Sequence, residues 1–523
     1  MADLIIHNAD VLTQNIDQPK AQAFAVNKGY IIAIGNNEDI LRLQGANTQM
    51  VNAEGKTVLP GFIDAHIHIW KVGNLKTFLF DLRGVGSIEE MQDRLSDFVR
   101  NNPGEGWIQA RGFNEANMKE QRLPNKEDLD KVTTGRPLWI IRTCAHIGIA
   151  NTKAIELSNV TSHTHEPVGA EMRLGADGKP SGVFTESALG LIANNIPAYS
   201  AEDYSVMIKA AEDDLLSYGI TSATDPAVMP DLLASYRLLD KENKLRVRIS
   251  AFPVRVPDGS DEILPLAQIY HSDKLIINTI KFFADGGLSG MTAAMNKPYK
   301  NSSSTGVLRL TEGFFYPIAF EAANAGFRVA THAIGDKAID VVLNVYEKLF
   351  KEGHRGFRIE HLGLPSAPHL ARMKEMEIDC VSQSIFLKEL GKNFALYLED
   401  ERLQRLYPYR SVLDAGINLA LSSDAPVVKD FNPITGIKAA LYREDAAGNI
   451  IGKDESISLK EAIFAYTLGA AKANGNENEV GSIEPGKKAD FVILNKTLRE
   501  TITEDEDVHV TATYINGQQF FTK

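Results

Sequence analysis

Eight strand-like segments, several of them separated by helical patterns, constrain this chain more than any other feature. They are Val58–His66, Ile220–Thr224, Arg246–Phe252, Thr279–Phe283, Phe327–Thr331, Phe357–Glu360, Ile378–Ser382 and Ile417–Leu421. Each has the length and apolar character of a buried strand. Ala338–Phe350 is one helical pattern between them. Another starts at Ser200-Ala201-Glu202-Asp203, which resembles a capping box, and carries Met207, Ala210, Ala211, Leu215 and Leu216 before stopping at Gly219. Eight strands with crossover helices is the count for an α/β fold of the closed (β/α)8 TIM-barrel type. An open doubly wound sheet is the alternative, but no Gly-rich phosphate turn follows an early strand.

The spacing of the segments is uneven, and that sets the domain organisation. Residues from about 70 to 200 fall between the first and second barrel strands, far too many for one βα connection. They read as an inserted subdomain with a strand of its own, Pro137–Arg142, placed where a barrel mouth would lie. Residues 1–57 read as short strands with tight turns, and residues 480–523 carry more strands and the hairpin signal Asn516-Gly517. Neither half buries a convincing core alone. Joined, they make one composite β-sandwich domain beside a barrel spanning 58–479.

The candidate chemistry sits at the strand ends. The run from Val58 to Ala65 leads into His66-Ile67-His68, and in a strand residues i and i+2 face the same side. Two imidazoles on one side suit Zn²⁺ and its neighbours. Lys281 stands in an apolar strand, where a snorkelling or salt-bridged lysine is the bland reading. His332 and His361 close two further segments, and Asp424 follows the eighth. Any one of these histidines reads as a satisfied core residue; four of them with a lysine and an aspartate at successive strand ends do not. The pair His163 and His165 has no apolar run before it and reads as surface loop. Asp285 and Asp336 read as caps, Arg142 as structural, and Asp64 as orienting a ligand histidine.

This set resembles the amidohydrolase superfamily, over nearly the whole chain. The resemblance rests on Pro60–His68, the histidines of strands five and six, Ser423-Asp424, and Gly481–Phe491. It is narrowest toward the family-3, YtcJ-like branch, through Lys281 in Lys-Phe-Phe-Ala-Asp-Gly, His332 in His-Ala-Ile-Gly-Asp-Lys-Ala, His361 in Arg-Ile-Glu-His, and an insertion carrying Arg142-Thr143-Cys144-Ala145-His146. The resemblance implies that His66, His68 and Asp424 hold one divalent ion and that His332 and His361 hold a second. It implies a CO2-derived carbamate on Lys281 bridging the two, Asp424 as proton shuttle, and His146 as a ligand of the substrate or its oxyanion. Metal-activated hydroxide would then cleave a C–N bond in an amide, formamide, N-acyl group or cyclic amide. The rival readings are a non-catalytic metal-binding regulator or ligand sensor on the same fold, and an ester or phosphotriester hydrolase.

Composition narrows the partners. A net charge of −13 with no basic stripe argues against nucleic acid. No apolar run spans a bilayer and the start is not a signal peptide, so a cytoplasmic protein with a small-molecule substrate is expected. A homodimer stays open. Cys144 and Cys380 lie in apolar segments and read as core thiols.

Overall fold

The computed structural model describes residues 1–523 apart from 143–146, 166–170, 259, 261 and 500–501. The chain divides into two compact units, one made of Met1–Ile69 with Glu212–Lys523 and the other of Trp70–Ala211.

The first unit contains eight parallel strands in a TIM-barrel-like arrangement: β1 (Phe62–Asp64), β2 (Ile220–Val228), β3 (Arg248–Pro253), β4 (Thr279–Phe283), β5 (Arg328–Ala333), β6 (Phe357–His361), β7 (Asp379–Ser382) and β8 (Leu419–Leu421). Parallel ladders run β1-β2-β3 and β4-β5-β6-β7-β8. A parallel bridge between Val254 and Lys281 joins the two runs. On the other side Asp424 N donates to His66 O at 2.7 Å and His68 N to Ala425 O at 2.9 Å. Helices lie between the strands, as parallel pairing demands. One of them, Asp336–Lys351, buries Ala338, Ile339, Val342, Leu343, Val345, Tyr346 and Leu349 along one stripe. Its Tyr346 stacks on Phe357 of β6 with ring centroids 4.7 Å apart.

The opening run differs from its reading as one strand. Thr57–Pro60 belongs to a different sheet, where it pairs antiparallel with Phe491–Leu494. Only Phe62–Asp64 enters the barrel. Gly61 is the switch point. A Cβ there would sit 2.1 Å from Thr221 Oγ1 of β2, so only glycine lets the chain pass.

Two short strands, Leu275–Ile277 and Tyr270–His271, extend the β1-β2-β3 sheet past β3, and the other strands of this unit form two sheets. A four-stranded one holds Tyr30–Gly35, Ala23–Asn27, Leu4–His7 and Gln49–Asn52. A six-stranded one runs Gln518–Thr522, Val510–Ile515, Phe491–Leu494, Thr57–Pro60, Asp10–Leu12, Lys20–Ala21, mixing both ends of the chain. Asn516 and Gly517, with φ of 51° and 71°, make the hairpin turn in it. One apolar cluster takes Leu4, Ile6, Phe24 and Val26 from the first sheet and Val58, Phe491, Ile493 and Tyr514 from the second. Phe24 meets Phe491 edge-to-face with centroids 5.0 Å apart. A double-mutant cycle on Phe24→Ala and Phe491→Ala is expected to show a coupling of about 0.5–1.5 kcal/mol. Strictly additive unfolding free energies would contradict a core shared by the two ends.

The second unit has its own six-stranded sheet, ordered Met172–Leu174, Pro180–Thr185, Ile147–Ala150, Leu138–Arg142, Ile108–Phe113, Leu79–Asp81. Its apolar clusters centre on Ile108, Ala110, Leu138 and Ile140, and on Trp139, Ala150, Phe184 and Ile192. Arg142 pairs with Glu115 at 2.7 Å and with Asn114 at 3.1 Å. His163 and His165 are exposed. Cys380 is a buried free thiol in β7, whereas Cys144 and His146 lie outside the described residues. Among the described residues no helix is long and apolar enough to cross a membrane.

Candidate metal centre

The C-terminal ends of β1, β4, β5, β6 and β8 bring six side chains into one neighbourhood. β1 stops at Asp64, so His66 and His68 sit on irregular chain rather than on the strand face their spacing suggests. The backbone is nonetheless held, because Ile67 N donates to Thr224 O at 2.8 Å and His68 N to Ala425 O. Both imidazoles reach the same oxygen. His66 Nε2 lies 3.5 Å and His68 Nε2 3.3 Å from Asp424 Oδ1. His66 and His361 rings are 4.9 Å apart, and His361 and His332 rings 4.4 Å. Ligand-type atoms of His66, His361 and Asp424 all lie within 4.8 Å of one another.

The hydrogen-bond pattern assigns the ring nitrogens. His66 Nδ1 lies 2.6 Å from Glu360 Oε2, and a carboxylate only accepts, so Nδ1 carries the proton. Nε2 then turns a lone pair toward Asp424 Oδ1, and two acceptors face each other. His361 Nδ1 lies 2.7 Å from Gln383 Oε1 and is protonated for the same kind of reason. His332 Nε2 donates to Gly286 O at 3.1 Å, which frees Nδ1. Burial, reinforced by the Lys281 charge, pulls His66 and His332 down to about 3. Burial, with His332 alongside, does the same to His361. All three present neutral imidazole at ordinary pH, the form that ligates metals.

Lys281 is the odd member. It is 1% exposed in β4, and among the described residues its Nζ has no hydrogen-bond partner. It lies 4.9 Å from the Phe283 ring centroid. Burial lowers it to about 8, against the attraction of Glu360 and Asp424. An unsatisfied buried amine is costly unless something completes its environment. Asp424 Oδ1 also lacks a hydrogen-bond partner among the described residues. Neutral imidazole nitrogens and an orphaned carboxylate oxygen are a donor set that fits a divalent cation. The backbone is unusual at two of these residues as well. His361 and Asp424 take left-handed φ values of 73° and 58°, which His and Asp tolerate better than most residues.

Three supporting residues escape a reading from sequence. Glu360, inside Arg-Ile-Glu-His, takes no role of its own from the sequence and holds His66. Gln383, just past β7, holds His361. Asp285, read as a cap, is fully buried and accepts from Ala294, Ile334 and Gly335 N at 2.8–3.0 Å, while Oδ1 lies 3.3 Å from His332 Nε2. Burial pushes it up to about 7 against those bonds. Asp336 is the first residue of its helix, whose N-cap is Gly335. Asp64 acts on backbone rather than on a ring, accepting from His66 N at 3.1 Å and Ser423 N at 3.2 Å.

Residues 49–521 match the model of the amidohydrolase family. The N-substituted formamide deformylase of Arthrobacter pascens is 28% identical over 546 residues, covering 99% of this chain and 98% of that protein. The Bacillus subtilis protein YtcJ is 26% identical over 534 residues, covering 99% of each. The crystal structure of a metal-dependent hydrolase from Pyrococcus horikoshii superposes with a TM-score of 0.80 at 26% identity, over 95% of this chain and 98% of that one. With histidines, aspartate and lysine gathered at the barrel strand ends and the match running nearly end to end, this chain belongs to the amidohydrolase family, in its YtcJ-like branch.

Proposed function

We propose that this protein is a metal-dependent hydrolase cleaving a non-peptide C–N bond in an amide, with N-substituted formamides the first substrates to try. The observation that carries the reading is the grouping of His66, His361 and Asp424, with His68 and His332 against them, within reach of the charge of a buried Lys281 whose amine has no hydrogen-bond partner among the described residues. His66, His68 and Asp424 would hold one ion, His332 and His361 a second, and a carbamate on Lys281 would join them. The nitrogen and oxygen donor set suits Zn²⁺. When bound, such ions supply hydroxide near neutral pH and polarise the scissile carbonyl. Asp424 takes the proton from the attacking water as the C–O bond forms and delivers it to the nitrogen as the C–N bond breaks, leaving a carboxylic acid and an amine. His146 would contact the substrate. The same reading takes residues 1–57 with 480–523 as one β-sandwich domain, about 70–200 as an inserted subdomain, and the cytoplasm as the site of action.

Turnover across N-substituted formamides, N-acyl amino acids, cyclic amides and matched esters tests this. Hydrolysis of one amide class above its ester is the expected result. Binding without turnover by fully metallated protein would make the protein a ligand sensor instead.

The lysine carries a pH prediction. Only neutral amine adds CO2, and Lys281 becomes neutral as pH rises through about 8. At fixed dissolved CO2, the initial rate of carboxylation in metal-free protein should rise roughly tenfold from pH 7 to 9 and then level off. An ordinary lysine would keep climbing past pH 10. Trapping the carbamate by O-alkylation and reading it by mass spectrometry gives the profile, and a rate still rising steeply above pH 9 would refute the lowered pKa.

A further inference from the structure

We propose that Glu360 and Gln383 are positioning residues that make the two halves of the metal centre unequal, with the His66 side holding its ion more tightly than the His361 side. The inference rests on the metal-centre reading above and adds an order of loading to it.

The two histidines are supported by different chemistry. Glu360 accepts the Nδ1 proton of His66 at 2.6 Å with a full negative charge. Arg358 fixes that carboxylate, with Nε 2.5 Å from Oε1 and an Nη 2.9 Å from Oε2. The guanidinium also donates to Ala65 O at 2.8 Å and to Asn474 Oδ1 at 2.8 Å, so it ties β6 to the segment carrying His66. Arg358 and Glu360 are both fully buried. The partner of His361 is neutral. Gln383 Oε1 accepts its Nδ1 proton at 2.7 Å, Gln383 Nε2 donates to Ser422 Oγ at 3.0 Å, and Ser422 donates to Ser382 O at 3.1 Å. That directed chain keeps the amide from flipping.

An imidazole that donates to a carboxylate becomes the more electron-rich ligand at its other nitrogen, and supports of this kind change metal affinity by about 10–100-fold. His332, proposed for the same ion as His361, does not restore the balance. Its nearest acceptor is the neutral Gly286 carbonyl, and the Asp285 oxygen at 3.3 Å belongs to a carboxylate already taking three backbone N–H groups. The Gln383 position is built to accept the opposite choice. The Ser422 hydroxyl can turn to donate to a carboxylate there, so Gln383→Glu needs no new space.

The test is competition of Zn²⁺ against a chromophoric chelator, in bicarbonate, on the full chain. The wild type should take up two ions with binding constants about tenfold or more apart. Gln383→Glu should tighten the weaker constant by about tenfold and narrow the gap. Glu360→Gln should weaken the stronger one. That variant leaves Arg358 without a counter-charge, so Arg358→Met/Glu360→Gln is measured beside it, with circular dichroism to show that both fold. A purely structural Gln383 would bind metal no better, or worse, as glutamate. Two ions bound with equal constants, or a weaker constant unmoved by Gln383→Glu, would overturn the inference and leave the metal centre standing. No ion bound by the wild type would overturn the metal centre and the inference with it.

Discussion

Asp424→Asn is expected to slow turnover of an amide substrate by about two orders of magnitude or more, the size of a lost general base, while bound metal falls only modestly. Asp424 follows β8 and is held by its own backbone, N donating to His66 O at 2.7 Å. Its Oδ1 lies between the Nε2 atoms of His66 and His68. Asparagine keeps that shape and one carbonyl oxygen, but an amide cannot accept the proton. The backbone does not confuse the comparison, because asparagine is at ease at the left-handed φ of 58° found here. His332→Asn is the contrasting variant and should chiefly cost metal. Bound metal and rate, measured on the same preparations, separate the two effects. A wild-type rate from fully metallated Asp424→Asn would remove the shuttle role, and His146 would be the next candidate.

Lys281→Ala should weaken metal binding by about a hundredfold and abolish turnover with it, because the anion proposed to join the two ions has no other source. Its neighbours make the point specific. Lys281 is buried in β4, beside β5 with His332, and its charge is felt by both His66 and His332. Short carboxylic acids or high bicarbonate should restore part of the metal and part of the rate to this variant by supplying oxygen ligands. They should do nothing for His66→Ala, which lacks a nitrogen ligand rather than an oxygen one. Undiminished metal content in Lys281→Ala would show that the lysine is not a bridge.

The candidate site was legible in sequence wherever a residue declares itself by its neighbours along the chain. His66, His68, Lys281, His332, His361 and Asp424 each end or interrupt an apolar run, and strand-end polarity is a local signal. The eight barrel segments were legible for the same reason. What was not legible depends on partners far away. Nothing near Glu360 says that it grips a histidine 294 residues earlier. Nothing in Pro60-Gly61-Phe62 says that the chain changes sheets there, since the reason is Thr221 of a neighbouring strand. Asp285 looks like a turn residue because its three donors come from two other segments. The expectation that His66 and His68 share a strand face fails, since both lie on the irregular chain after β1, yet both rings still reach Asp424 Oδ1. His146 falls in a segment outside the described residues.

If the protein is a metal-dependent hydrolase, C–N hydrolysis follows the metal. The measurement is the initial rate of amine and acid release from an N-substituted formamide as metal-free protein is reloaded stepwise with Zn²⁺ in bicarbonate, with bound metal determined on each sample. The expected result is no turnover without metal, a rate that climbs with occupancy, equal amounts of the two products, and in His66→Ala the loss of the tighter ion together with the rate. Hydrolysis at the same rate by metal-free protein, or binding of a panel of amides by the fully loaded protein with no product at all, would contradict it.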